Sequence, residues 1–114
     1  MKDKGNNIGS DIIRGHIDTI VLTLLVEQDR YGYEVYKEVL ARSEGAYELK
    51  EPSLYSAFRR LEAQGYIRAY WGEETQGGRR KYYAITETGR EHCARSRTEW
   101  QIARKILDTL IGEN

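Results

Sequence analysis

Apolar residues keep helical spacing as far as Leu61, give way after Gly65 to two aromatic, β-prone runs, and return to helical spacing beyond Thr86. That double change of period sets the order of elements. In the first stretch Ile13, Ile17, Ile20, Leu24 and Leu25 follow the potential cap Ser10, which predicts a helix from Asp11 to Gln28. Ile12, Leu22 and Val26 widen its apolar arc beyond one face, so burial is expected on two sides, by its own domain and by a second chain. After Tyr31-Gly32-Tyr33, the residues Val35, Val39 and Leu40 mark a second helix ending between Ser43 and Gly45. Pro52 suits the first turn of a third, which Leu54, Tyr55, Phe58 and Leu61 carry to a stop at Gly65. With Leu54, Phe58 and Leu61 inward, Ser53, Ser56, Arg59, Arg60 and Ala63 face solvent or a ligand.

Tyr66 to Trp71 and Arg80 to Ile85 flank the Gly-rich segment Gly72 to Gly78, the pattern of a two-stranded hairpin with a long polar tip. An isolated hairpin is marginal in water, so it should lean on the helices through Ile67, Tyr83 and Ile85. Thr88 to Glu91 has capping-box spacing, with Thr86 the other candidate cap, and opens a last helix that reaches Ile111 before Gly112. Trp100, Ala103, Leu107, Leu110 and Ile111 form an apolar seam along it. A small three-helix core cannot cover a helix of that length, and a symmetric copy of itself is the simplest partner.

A chain of 114 residues fits one domain with one modest core. Hydrophobic residues at 39% and charged residues at 32% indicate an ordered protein, with only residues 1–9 expected to be flexible. The single cysteine, Cys93, has no internal disulfide partner. No apolar run approaches the ~20 residues of a membrane span or forms a signal-peptide core, so a cytoplasmic protein without membrane contact is expected. His16, His92 and Cys93 are too few for a convincing metal site or catalytic triad, and no phosphate-binding glycine loop joins a strand to a helix. No enzyme activity, cofactor or metal is therefore expected. His92 is read as solvent-facing and its neighbour Cys93 as an interface residue.

Eighteen basic and 18 acidic residues cancel, yet between Glu51 and Arg90 seven basic residues face five acidic ones, and the first fifty residues are net acidic. Three successive cations, Arg79, Arg80 and Lys81, follow Gly77-Gly78 at the hairpin tip, where glycine lets the backbone approach a phosphate closely. A solvated tip that only prevents edge pairing is the bland alternative. The order of elements is that of a winged helix-turn-helix: a mainly α fold with a small β-hairpin, extended by a long C-terminal dimerisation helix. In that fold the helix before the hairpin enters the major groove. A winged-helix module that docks only proteins is the competing reading, which zero net charge allows.

Six spaced motifs carry a family resemblance. They are Arg14-Gly15, Tyr31-Gly32-Tyr33-Glu34, Leu54-Tyr55, Arg60-Leu61-Glu62 followed by Gly65 and Ile67, Gly78-Arg79-Arg80-Lys81-Tyr82-Tyr83, and Ile85-Thr86 followed by Gly89. In this order they resemble the PadR family of bacterial transcriptional repressors. The length is similar to its small subgroup, which lacks a separate C-terminal dimerisation domain, and the stretch Tyr70 to Tyr83 together with Trp100 resembles that subgroup's multidrug-responsive members.

The resemblance implies a ligand-responsive homodimer joined by the first and last helices and bound to double-stranded operator DNA. Residues 10–86 would form the DNA-binding domain, and residues 87–114 the dimerisation helix packed with the first helix. It implies Ser53, Tyr55, Ser56 and Arg59 in the groove, with Gln76, Gly78, Arg79 and Lys81 at the wing. Tyr55 has a competing role, packing against the second helix. An effector site would draw on Ile12, His16 and Thr19 of the first helix and Arg97, Trp100, Ala103 and Arg104 of the last. Trp100 is either a packing residue or one wall of a flat pocket between chains. Arg97 and Arg104, one turn either side of it, make an anionic planar aromatic as plausible an effector as a cationic drug.

Overall fold

The computed structural model describes residues 11–73 and 77–112. Its elements are α1 (Ile17–Glu27), β1 (Arg30–Tyr31), α2 (Gly32–Arg42), α3 (Glu51–Ala63), β2 (Ile67–Trp71), β3 (Lys81–Ile85) and α4 (Glu87–Ile111). This is the expected winged helix-turn-helix with a long last helix, corrected in several places.

The first helix is not continuous from Asp11. A short helical segment at 11–14 closes on itself where the His16 amide donates to the Ile13 carbonyl at 2.7 Å, and α1 starts afresh at Ile17. Gly15, a poor helix former, lies at the break. The second correction concerns the sheet, which has three antiparallel strands in the order β1-β3-β2. Arg30 pairs with Tyr83 and Tyr31 with Tyr82, so the residues read as a polar break form a short edge strand.

Arg30 explains why a two-residue strand holds its place. Its side chain is buried; Nε donates to the Leu24 carbonyl at 3.1 Å and Nη2 to Glu27 at 2.7 Å. Glu27 also accepts two bonds from Arg42, at 2.7 and 2.9 Å, and Arg42 reaches Glu38 at 2.8 Å. The Arg42 guanidinium, aided by Arg30, pulls the Glu27 carboxyl from 4.5 down to about 2. This network fixes the turn from α1 through β1 into α2, whose first turn is closed by the Tyr31 amide donating to Glu34 at 3.2 Å. At the far end of α2 the left-handed residues Glu44 and Gly45 reverse the chain, as expected from Gly45.

The core gathers one face of each helix: Val21, Leu22 and Leu25 of α1, Val35 of α2, and Leu54, Ala57, Phe58 and Leu61 of α3. Leu49, in the loop before α3, is also fully buried. From the sheet come Ile67 and Tyr83, with Ile85 partly buried, so the hairpin leans on the helices where expected. Tyr83 stacks on Phe58 with ring centroids 3.8 Å apart.

The third correction is Cys93. Its thiol is buried in the protomer core, 3.6 Å from the Thr23 hydroxyl, and does not lie on a surface for another chain. His92 is half-buried rather than solvent-facing, stacked on Tyr66 at 4.3 Å. Of the two candidate caps, Thr86 caps α4. Its hydroxyl accepts from the Gly89 amide at 3.0 Å and donates to the Gly65 carbonyl at 2.7 Å, tying the end of α3 to the start of α4. A cap of this kind contributes ~1 kcal/mol.

Beyond Cys93 every described residue of α4 is exposed or only partly covered. Its 25 residues span ~37 Å, so the distal half projects clear of the core. The exposed apolar residues include Ile102 and Ile106 as well as the seam residues Trp100, Leu107, Leu110 and Ile111. At 100° per residue Ile102 and Ile106 extend the seam to an arc of about 180°, wider than expected.

Candidate nucleic-acid interface

Pro52 stands in the first turn of α3, and Gly65 (φ 79°) ends the helix, so its register is set at both ends. Burial of Leu54, Phe58 and Leu61 turns Ser53 and Arg59 outward, with Ser56 between them half-buried. Arg59 donates to the Ser56 hydroxyl at 3.2 Å and has no carboxylate partner among the described residues. Its neighbour Arg60 differs. Nη2 and Nε donate to Asp18 at 2.6 and 3.3 Å, which clamps α3 to α1 and holds the guanidinium above its ordinary pKa. Of two adjacent arginines that the sequence leaves on one face, Arg59 is available to a ligand and Arg60 is engaged within the fold.

Tyr55 takes a position compatible with both of its expected roles. Its ring packs edge-on against Phe58 at 5.5 Å, and its hydroxyl fills the space where Gly32 lacks a β-carbon. The side chain remains 38% exposed, so its outer edge is still accessible. Gly32 is needed here for close approach, as any side chain would displace the phenol.

Wing cations lie on aromatic rings. Arg79 sits 5.6 Å from the centre of the Trp71 ring, Arg80 4.7 Å from Tyr31 and Lys81 5.8 Å from Tyr83. Tyr82 in turn packs on Tyr31 at 5.4 Å and on Tyr70 at 5.7 Å. Part of the tyrosine excess is thus a platform that orients cations, a role that composition alone does not show. Gly78 adopts φ 94°, a conformation that favours glycine. Gln76 lies outside the described residues.

The expected effector residues fall at the junction of α1 and α4. The His16 and Trp100 rings meet edge to face at 4.9 Å, and Trp100 remains 41% exposed. Thr19 is half-buried on α1, Ile12 is exposed, and Arg97, Ala103 and Arg104 are exposed on α4. Within this group the fold brings the His16 and Trp100 rings into contact. Among the described residues no cluster of His, Cys, Asp or Glu could hold a metal ion, and no helix is long and apolar enough to cross a membrane.

Helix-turn-helix, three-stranded wing and outward arginines define a winged-helix transcription regulator. Residues 21–95 match the model of the transcriptional regulator PadR-like family, and the chain belongs to that family. A protein of Lysinibacillus sphaericus is 45% identical over 104 residues, 91% of this chain and 95% of its own. Among solved structures, a transcriptional regulator from Clostridium thermocellum has a TM-score of 0.83 at 46% identity, over 90% of this chain and 96% of its own. A PadR family transcription regulator from Clostridium difficile has a TM-score of 0.77 at 37% identity, over 85% of this chain and 99% of its own.

Proposed function

We propose that this PadR-like regulator is a cytoplasmic repressor that binds a pseudo-palindromic operator as a homodimer. The observation that carries the reading is the cleft in which Tyr55 of α3 meets Arg80 and Lys81 of the wing, with Arg59 exposed one turn further along α3, cations without carboxylate partners among the described residues. Unpaired cations held on one surface call for an anion, and a duplex backbone supplies a row of them. Residues 10–86 act as the reading head. Ser53, Tyr55, Ser56 and Arg59 meet the major groove, while Gln76, Gly78, Arg79 and Lys81 meet backbone beside it.

Residues 87–114 act as the dimerisation arm. Support comes from the exposed apolar arc of α4, which water alone would otherwise cover. Two copies paired through α1 and α4 would set their reading helices about one DNA turn, roughly 34 Å, apart.

The contact of Trp100 with His16 supports a further element, a planar aromatic effector bound between the chains. Arg97 and Arg104 flank Trp100 and make an anionic aromatic as plausible an effector as a lipophilic cation. Release from DNA then follows if the effector binds the DNA-incompetent spacing more tightly than the competent one.

The test is an electrophoretic shift with DNA from upstream of the protein's own coding sequence and a scrambled duplex of equal length. Tighter binding to the upstream DNA supports the proposal. Equal affinity for both would reduce it to non-specific DNA binding, and absence of both would favour a protein-docking module.

A further inference from the structure

Between the wing and the reading helix lies a cleft of about 380 Å³ that includes Tyr31, Tyr33, Tyr55, Arg80 and Lys81 in its walls. We infer that this cleft seats a backbone phosphate of the DNA strand separating the major groove, read by α3, from the groove beside the wing. The inference rests on the DNA-binding reading above; it assigns a role to Tyr31 and Tyr33, which that reading leaves without one, and a specific phosphate position to Arg80.

The composition of the wall is the first argument. Among the described residues it contains two cations and no carboxylate, and neither Arg80 nor Lys81 has an acidic partner there. Four tyrosines complete most of the remainder. A tyrosine hydroxyl donates a hydrogen bond without introducing charge, so the site attracts an anion and orients it with neutral donors.

Orientation is the second. Arg80 is laid over the Tyr31 ring at 4.7 Å, which holds the guanidinium at the cleft and lowers the entropy lost when it binds. Tyr33 is 60% exposed and stacks on Tyr36 at 5.9 Å, so its ring is held while its surface stays open. The Tyr55 hydroxyl is admitted to the same wall because Gly32 carries no side chain.

Position is the third. Tyr55 belongs to the reading helix and Lys81 to the wing. A strand that passes from a groove filled by α3 to a groove touched by the wing must cross the space between them, and its phosphates are what face the protein there. A phosphate held at that point fixes how far α3 slides along the groove, which is a positioning role and carries no base preference.

Two variants of exposed residues, Arg80→Ala and Tyr33→Phe, test the seat, with thermal unfolding confirming that each folds. Affinity is measured for operator and scrambled duplexes across about 50 to 200 mM salt. For Arg80→Ala the expected result is weakening on the order of tenfold on both duplexes, with the salt slope shallower by about 1. Tyr33→Phe should weaken both duplexes by a few-fold and leave the slope unchanged, because a neutral donor releases no counterion. Unchanged affinity in both variants, with salt-sensitive binding by the natural protein, overturns the seat and leaves the DNA reading standing. Loss confined to the operator also overturns it, since that marks base reading. No binding by the natural protein at any salt overturns both.

Discussion

Gly89 lies against the Tyr66 carbonyl so closely that a β-carbon on Gly89 would collide with that oxygen, with Ile85 only 2.8 Å from the same point. The contact joins the start of α4 to the residue before β2, which is where the projecting helix is braced against the winged-helix core. Because the obstacle is backbone, it cannot move aside as a flexible side chain would. Gly89→Ala should therefore destabilise the chain by about 1–3 kcal/mol, the range of overpacked cores. Thermal unfolding will show this as a fall of several degrees, and an unchanged midpoint would mean that the junction yields.

Acid should act through Glu27. Its folded-state carboxyl titrates at about 2, below the ordinary 4.5, so the stability it contributes is fully present above pH 4.5 and lost as pH falls toward 2. Replacing Glu27 by Gln leaves the buried Arg30 without its anion and Arg42 with Glu38 alone. The variant should melt lower than the natural protein at pH 6, with the difference closing between pH 4.5 and pH 2. A difference independent of pH would place the network's value in packing alone.

On DNA, Arg59→Ala should cost about 1–3 kcal/mol on the operator and relax sequence choice if the side chain reads a base edge. Arg79→Ala should weaken operator and scrambled DNA alike. Competition titrations separate the two, and an equal loss on both duplexes for Arg59→Ala would recast it as a phosphate contact.

The folding signals visible in sequence were the ones written locally. Period, glycine stops and Pro52 were enough to locate α2, α3, the β2–β3 hairpin and α4, because each depends on residues within one or two turns of one another. What escaped was long-range or very short. β1 has two residues, too few to alternate, and exists because Arg30 is held by Leu24 and Glu27. Arg59 and Arg60 are indistinguishable by position on a helical wheel until Asp18, 42 residues away in sequence, claims one of them. Cys93 carries no sign of its depth, since that depends on where α4 crosses Thr23. In the site, Arg79 and Lys81 were legible as cations after glycines, whereas the tyrosine and tryptophan rings beneath them required the fold.

Leu110 is 72% exposed on the arm and contributes little to the protomer's own core. Leu110→Asp should leave the melting of the isolated protomer intact while weakening self-association on the order of 100-fold, because a carboxylate would be buried between chains. Sedimentation equilibrium measures it, and an unaltered dimer constant would remove the arm's apolar arc from the interface.

Trp100 fluorescence in a Trp71→Phe background tests the proposed effector site. Quenching by an anionic planar aromatic or by a lipophilic cation of similar size is the expected outcome. Failure of either class to alter the emission would leave Trp100 as a packing residue.

Most direct of all is the mass of the complex on DNA. Sedimentation velocity of a labelled duplex from the protein's own upstream region, at low salt and with the protein in excess, should give a species containing the duplex and two chains, both lost together as salt rises. A complex holding a single chain, or a duplex that sediments alone at the lowest salt, would contradict the account.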